Sequence, residues 1–174
     1  MRRILPHYTY DDWVRWEGLW ELIDGLPWAI SSSSDIKHQV ISSKLVTEFA
    51  ISLKACNKCN GYLPIAYRVT DDTILQPDML VVDDEIIKDY LDFTPSLVAE
   101  ILSAVTELKD RYTKYNIYES QGIRYYIIVV PGKEEVEIYE LINGEYKLKQ
   151  SGKDIVHEFF FPECTARVDY KEIW

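Results

Sequence analysis

Leu97-Val98-Ala99-Glu100-Ile101-Leu102-Ser103 is an apolar run broken by one carboxylate, and its flanks decide the architecture. Two strand-like runs precede it, Tyr62 to Val69 and Ile74 to Val82, and its own strand spans Ser96 to Leu102. After it, Thr106 can cap a helix over Glu107 to Gln121, with Gly122 just past its end. Arg124 to Val130 is β-branched and aromatic and reads as a buried strand. Upstream, the apolar spacing of Ile36, Val40, Ile41, Val46, Phe49, Ala50 and Leu53 predicts a helix from Ile36 to Ala55, capped by Ser34 or Asp35. Helix, three strands, helix, strand is the order of an α/β (α+β) protein: a mixed β-sheet with flanking helices and an αβββαβ core. The early strands can pair as a meander, while the last needs the crossover that the second helix provides.

Shorter signals frame this core. Thr9-Tyr10-Asp11-Asp12 resembles a capping box, and Gly18 would end the short helix it starts. Asp24-Gly25 between Leu19–Ile23 and Leu26–Ser31 predicts a type I′ hairpin, as does Asn143-Gly144 between Glu135–Leu141 and Glu145–Lys149. A weak helical segment is expected over Asp84 to Leu91, and Phe159-Phe160-Phe161 should pack onto the body. No linker or repeat interrupts the chain, so 1–174 is expected to form a single domain.

Arg2 and Arg3 are followed by no long apolar region, and Tyr125 to Val130 is too short to span a bilayer. No membrane partner is expected, and the default location is cytoplasmic. The three cysteines are too few for a disulfide framework. Cys56-Asn57-Lys58-Cys59 has zinc-ligand spacing, which Cys164 and His157 would complete only if the fold gathered them; the expectation is two reduced thiols at a helix end. The net charge of −10 argues against a long phosphate-gripping footprint. It leaves room for local positive charge, with a metal supplying the rest.

Pro77 places Asp78 at a strand opening, where a side chain can reach a cleft. If the strands are antiparallel, Asp78 and Glu100 can converge, and two carboxylates with a lysine nearby can hold Mg²⁺ for phosphodiester hydrolysis. Glu100 interrupts a run apolar enough to be covered on both faces, so it must be partnered, metal-bound or shifted in pKa. Asp78 otherwise reads as a strand-edge carboxylate. Asp110, Lys114 and Tyr118, at i, i+4 and i+8, share one helix face. They form either an ordinary acid–base pair or a group through which Lys114 reaches the attacking water or the phosphate. Ser103 reads equally as a loop cap or a ligand contact. His38 is a surface residue or an accessory proton shuttle, and Glu21, in an alternating strand, most simply faces solvent. Trp13, Trp16, Trp20 and Trp28 are expected to serve core packing or self-association rather than base stacking. P-loop, G-x-G-x-x-G, G-x-S-x-G and H-E-x-x-H motifs are all missing from the sequence.

Glu21-Leu22-Ile23-Asp24-Gly25, His38, Gln76-Pro77-Asp78, the run from Leu97 to Ser103, Asp110-Arg111, Lys114, Tyr118 and Gly122 form an ordered set. In that order the chain resembles the Uma family of “putative restriction endonucleases”, within the PD-(D/E)XK nuclease superfamily. The resemblance implies a restriction-endonuclease-like fold, a divalent metal (Mg²⁺ or Mn²⁺), phosphodiester hydrolysis, bacterial origin and homodimers. It makes Asp78 and Glu100 metal ligands and Lys114 the catalytic lysine. Leu102 stands two residues after Glu100, where the superfamily usually carries its lysine, and Ala104 follows Ser103 where relatives commonly have proline.

The leading expectation is a metal-dependent endonuclease acting on DNA, in which Glu100→Gln and Lys114→Ala abolish cleavage and leave thermal unfolding nearly unchanged. The rival is a catalytically silent nuclease-fold protein that binds or scaffolds a partner, as the acidity would suit. A zinc protein using Cys56 and Cys59 comes last.

Overall fold

The computed structural model describes residues 5–30 and 35–174; Arg2, Arg3 and the serine run Ser31–Ser34 lie outside the described residues. In chain order it contains α1 (Tyr10–Trp13), β1 (Trp20–Ile23), β2 (Leu26–Ala29), α2 (Ile36–Ser52), β3 (Asn60–Tyr62), β4 (Tyr67–Arg68) and β5 (Ile74–Leu75). There follow β6 (Met79–Val82), β7 (Leu97–Ile101), a π-helical segment Lys109–Lys114 continuing into α3 (Tyr115–Ser120), and β8 (Tyr125–Val130). β9 (Glu135–Ile142), β10 (Glu145–Gly152), β11 (Val156–Phe160), β12 (Thr165–Asp169) and a 3₁₀ turn Tyr170–Ile173 complete the chain.

Backbone contacts divide the chain into two units. The first comprises Met1–Ser33, Ile65–Gln76 and Ile86–Phe93. Its four strands run in the order β2-β1-β5-β4. Thr9 opens α1 with the expected capping box to Asp12. Asp24 and Gly25 have φ of 50° and 73°, and Ile23 pairs with Leu26, so the β1–β2 hairpin turns as type I′ requires. Leu22, Ala66 and Ile74 form its small core, against which Tyr8, Tyr10, Trp13, Trp16 and Tyr90 pack.

The second unit comprises Ser34–Pro64, Pro77–Glu85 and Thr94–Trp174. Its main sheet runs β10-β9-β8-β7-β6-β3, antiparallel except for β7 and β8. Those two are parallel because the helical segment between them carries the chain back, the crossover expected from the sequence. Ile41, Leu45 and Phe49 of α2 pack into a core with Leu97, Ala99 and Ile101 of β7 and Tyr125, Ile127 and Val129 of β8. The β11–β12 hairpin adds Phe159, Ala166 and Val168 to that core. The fold is the mixed α+β arrangement the sequence predicts.

Several expectations are corrected. The run from Ile74 to Val82 is not one strand: it breaks around Pro77, which has no N–H for a ladder, and β5 and β6 join different sheets. Tyr62 to Val69 divides likewise around Pro64. Residues 84–91 form bends with no helix. The buried stripe of α2 is Ile41, Leu45 and Phe49, whereas Ile36, Val40 and Ala50 are exposed. The helix after Ser103 is π-helical over Lys109–Lys114 rather than α throughout. Phe159 and Phe161 are buried but Phe160 faces out, as alternation along β11 requires. Cys56 and Cys164 form a disulfide, so the expectation of two reduced thiols at the helix end fails; Cys59 alone is free, and buried. Contacts between residues 108 positions apart bring that pair together, and no local pattern carries them.

Candidate functional site

Glu100 lies in the fully buried strand β7. Leu97, Ala99 and Ile101 point into the α2-side core, so alternation turns Val98 and Glu100 to the opposite face of the sheet. There Lys114 Nζ donates to Glu100 Oε1 at 2.8 Å, and Tyr118 OH donates to the same oxygen at 2.6 Å. Asp110 Oδ1 stands 3.6 Å from Lys114 Nζ. Glu100, Asp110 and Lys114 are 3%, 2% and 3% exposed. A carboxylate so deeply buried stays tolerable as an anion because a cation and a phenol answer it.

The helix delivers these groups on one face, as the i, i+4, i+8 spacing predicts. Its π-helical segment runs from Lys109 to Lys114, and such segments recur where a helix departs from regularity for a functional site. Leu102, two residues after Glu100, is buried. Lys114 brings an ammonium to Glu100 from the helix.

Asp78 immediately precedes β6. Met79 pairs with Ala99, so extending that antiparallel register by one residue sets Asp78 level with Glu100. Its Oδ2 accepts from the backbone N–H of Ile101 at 2.7 Å and lies 3.3 Å from His38 Nε2. Asp35 caps α2 by accepting from the N–H of His38 at 2.7 Å, which fixes the helix start that carries the imidazole. The hydrogen bond to Asp78 raises the pKa of His38 above its ordinary value, against the opposing effect of burial. His38 is therefore a partner of Asp78, not a free surface residue.

Ser103 is exposed, and Ser103 and Thr106 cap each other: Thr106 N–H donates to Ser103 Oγ and Ser103 N–H to Thr106 Oγ1, both at 3.2 Å. Ser103 thus shapes the loop that starts the helix. Glu21 belongs to the first unit and is 1% exposed, contrary to the solvent-facing expectation; it accepts from the backbone N–H of Gln76 at 2.9 Å. Pairing of β1 with β5 at Leu22 and Ile74 brings that carboxylate to the end of β5.

Tyr126 was not singled out in the sequence. Its hydroxyl donates to the backbone oxygen of Asp110 at 2.9 Å, pinning the π-helical segment onto β8. Burial, with Glu100 and Asp110 nearby, raises its pKa well above the usual value, so the phenol stays protonated as a donor. The available signal was a hydroxyl within the apolar run Tyr125–Val130. Arg111 also gains a role: it grips Glu137 of β9 through two 2.8 Å hydrogen bonds.

A hard divalent cation takes oxygen ligands, often one or two carboxylates with the remainder from water and phosphate. The donor chemistry of Asp78 and Glu100 fits that description. Among the described residues no three His, Cys, Asp or Glu side chains gather to hold an ion, so neither a closed protein cage nor the zinc arrangement forms.

A mixed sheet carrying a buried carboxylate–lysine pair on one face is what this fold and cluster define. Residues 9–169 match the Uma2 family, described as “Putative restriction endonuclease”, and the chain belongs to that family. No curated protein matches it. A solved structure described as “a putative nuclease belonging to DUF820” from Anabaena variabilis ATCC 29413 shares the fold at a TM-score of 0.72 and 17% identity, covering 95% of this chain and 96% of that one.

Proposed function

We propose that the chain is a Mg²⁺- or Mn²⁺-dependent endonuclease that hydrolyses phosphodiester bonds of DNA. The observation that carries the reading is the buried Lys114–Glu100 pair, 2.8 Å apart, on the strand whose antiparallel neighbour is preceded by Asp78. An ion pair at 3% exposure is a costly way to stabilise a fold, which favours a chemical use for it.

Hydrolysis joins a water oxygen to phosphorus, breaks the bond from phosphorus to the leaving oxygen, and moves a proton from the water to that oxygen. Asp78 and Glu100 would hold the cation. When bound, it supplies Lewis-acid stabilisation of the phosphoryl oxygens and acidifies the attacking water. His38 and the Ile101 N–H fix one oxygen of Asp78, while Lys114 and Tyr118 fix one oxygen of Glu100. Lys114 additionally places a positive charge where negative charge builds on the phosphate. Asp110 stands 3.6 Å from the Lys114 amine, and Ser103 sets the loop entering the helix. The same proposal takes 1–174 as one restriction-endonuclease-like domain acting as a homodimer in the cytoplasm of a bacterium. Among the described residues no helix is long and apolar enough to cross a membrane.

The test is cleavage of supercoiled plasmid and of short single- and double-stranded DNA with Mg²⁺, Mn²⁺ or EDTA. The Glu100→Gln variant, purified identically, controls for contaminating nuclease. Metal-dependent cutting by wild type, lost in EDTA and in the variant, is the expected outcome. If wild type and variant behave alike, the binding or scaffolding reading, which the net charge of −10 favours, takes its place.

A further inference from the structure

A groove of about 430 Å³ in the first unit is lined by Tyr8, Arg15, Trp16, Glu17, Trp20 and Pro27. None of these residues belongs to the carboxylate–lysine cluster. Its walls are rings: Tyr8 and Trp16 meet edge-to-face at 5.2 Å between centroids, and Trp16 and Trp20 at 5.8 Å. Tyr8 and Trp16 rest against the core of Leu22, Ala66 and Ile74, yet both remain only half-buried. The Trp20 indole N–H donates to Glu17 O at 2.8 Å, and Trp13 Nε1 donates to Trp20 O at 2.7 Å. The polar handle of Trp20 is thus engaged within the protein, and its residue lines the groove through the rest of its side chain and backbone.

Rigid aromatic faces beside one cation and one anion suit a nucleotide better than an aliphatic ligand. A base stacks on the rings whatever its identity, and an Arg meets its phosphate. The Glu17 carboxylate matches two adjacent N–H donors, which guanine alone presents on its Watson–Crick edge through N1–H and the N2 amino group. The volume lies in the range of small-molecule sites.

We propose that this groove binds an unpaired nucleobase of a nucleic acid strand, guanine preferred, with the ring stacked among Tyr8, Trp16 and Trp20, its edge read by Glu17 and its phosphate met by Arg15. The choice of a nucleic acid rests on the nuclease reading above. Trp13 and Trp16 pack against the core of this unit, as the sequence leads one to expect, and the proposal adds a ligand role for Trp16 and Trp20.

The experiment uses the full chain in EDTA, so that no cleavage intervenes. GMP, AMP, CMP and UMP are titrated against tryptophan fluorescence, and a labelled guanine-containing single strand is followed by anisotropy. Saturable quenching with GMP tightest is the expected result, and Trp16→Ala should weaken strand binding roughly tenfold or more, as loss of one stack does. Because Trp16 also touches the core, the exposed Glu17→Gln is the second variant: it should abolish the GMP preference and leave the other three nucleotides bound as before. Glu100→Gln should bind like wild type, and wild type that binds nucleotide but fails to cut with Mg²⁺ or Mn²⁺ sinks the nuclease reading and leaves the groove standing. Absence of quenching by any nucleotide overturns the site, and equal affinities for all four overturn the guanine assignment. A sedimentation shift on Trp16→Ala without nucleotide binding would give the groove to a second copy of the chain.

Discussion

Lys114 sets its ammonium 2.8 Å from the buried Glu100 and 3.6 Å from the buried Asp110. Truncating it should therefore do more than remove a catalytic group. Lys114→Ala leaves two carboxylates at 2–3% exposure without that cation and is expected to cost about 3–5 kcal/mol of stability. The expectation that this variant unfolds like wild type does not survive the burial. Glu100→Gln keeps the side-chain shape and leaves Lys114 beside Asp110, so it should unfold much closer to wild type and is the better test of chemistry. Pairing it with Lys114→Met should cost less than the two single losses added, since Glu100 is then no longer a charge deprived of Lys114, although Asp110 still loses that cation. Urea midpoints check this; an unchanged midpoint in Lys114→Ala would show that its amine does not hold Glu100 in solution. His38 supplies a pH signature. Its folded pKa is raised, so its contact with Asp78 contributes stability fully present below the unfolded value of about 6.5 and lost as pH rises through the folded value. The His38 ring resonances should titrate above about 6.5, and Asp78→Asn should bring the midpoint down, because burial alone lowers it. A midpoint unmoved by that substitution would remove Asp78 as the cause.

Elements were legible where a local rule sufficed. Asp24-Gly25 and Asn143-Gly144 fixed both hairpins because left-handed φ at consecutive positions is inexpensive for Asn, Asp and Gly and for few others. The parallel β7–β8 pair followed from the helix between them. What failed were features decided at a distance. Pro77 was read as a strand beginning, which is correct for β6, but the sequence did not show that β5 pairs with β1. The π-helical segment was invisible because i, i+4 spacing keeps Asp110 and Lys114 neighbours in either geometry. The β11–β12 hairpin has Cys164 in its connection and no Asn-Gly or Asp-Gly signal, so the sequence does not show it, and of the Phe159-Phe160-Phe161 run expected on the body only Phe159 and Phe161 are buried. The candidate site divides the same way. Glu100 stood out as a charge inside an apolar run, whereas its pairing with Tyr118, the imidazole beside Asp78 and the Tyr126 bond to Asp110 needed three-dimensional register.

At the scale of the molecule, the Cys56–Cys164 disulfide ties the end of α2 to the β11–β12 connection and closes a long loop. A cross-link closing on the order of 100 residues restricts the unfolded chain by about 4–5 kcal/mol in the loop-entropy account. Both ends adjoin the main core, and the hairpin contributes Phe159, Ala166 and Val168 to it, so opening the bond should loosen the packing over α2 before the sheet itself. Protein denatured without reductant should titrate one thiol, Cys59, and three after reduction. Reductant should lower the thermal midpoint of wild type and leave that of Cys164→Ser unchanged. Three thiols in the unreduced, denatured chain would show that the pair does not form. The compartment gives this measurement a functional edge. Disulfides seldom persist in a reducing cytoplasm, where the proposed nuclease would work. The sheet and the helix carrying Glu100 and Lys114 lie inside the closed loop, and neither cysteine touches them in sequence. Cleavage measured with and without reductant at a temperature below both midpoints should therefore be equal, and a loss on reduction would tie the C-terminal hairpin to the site.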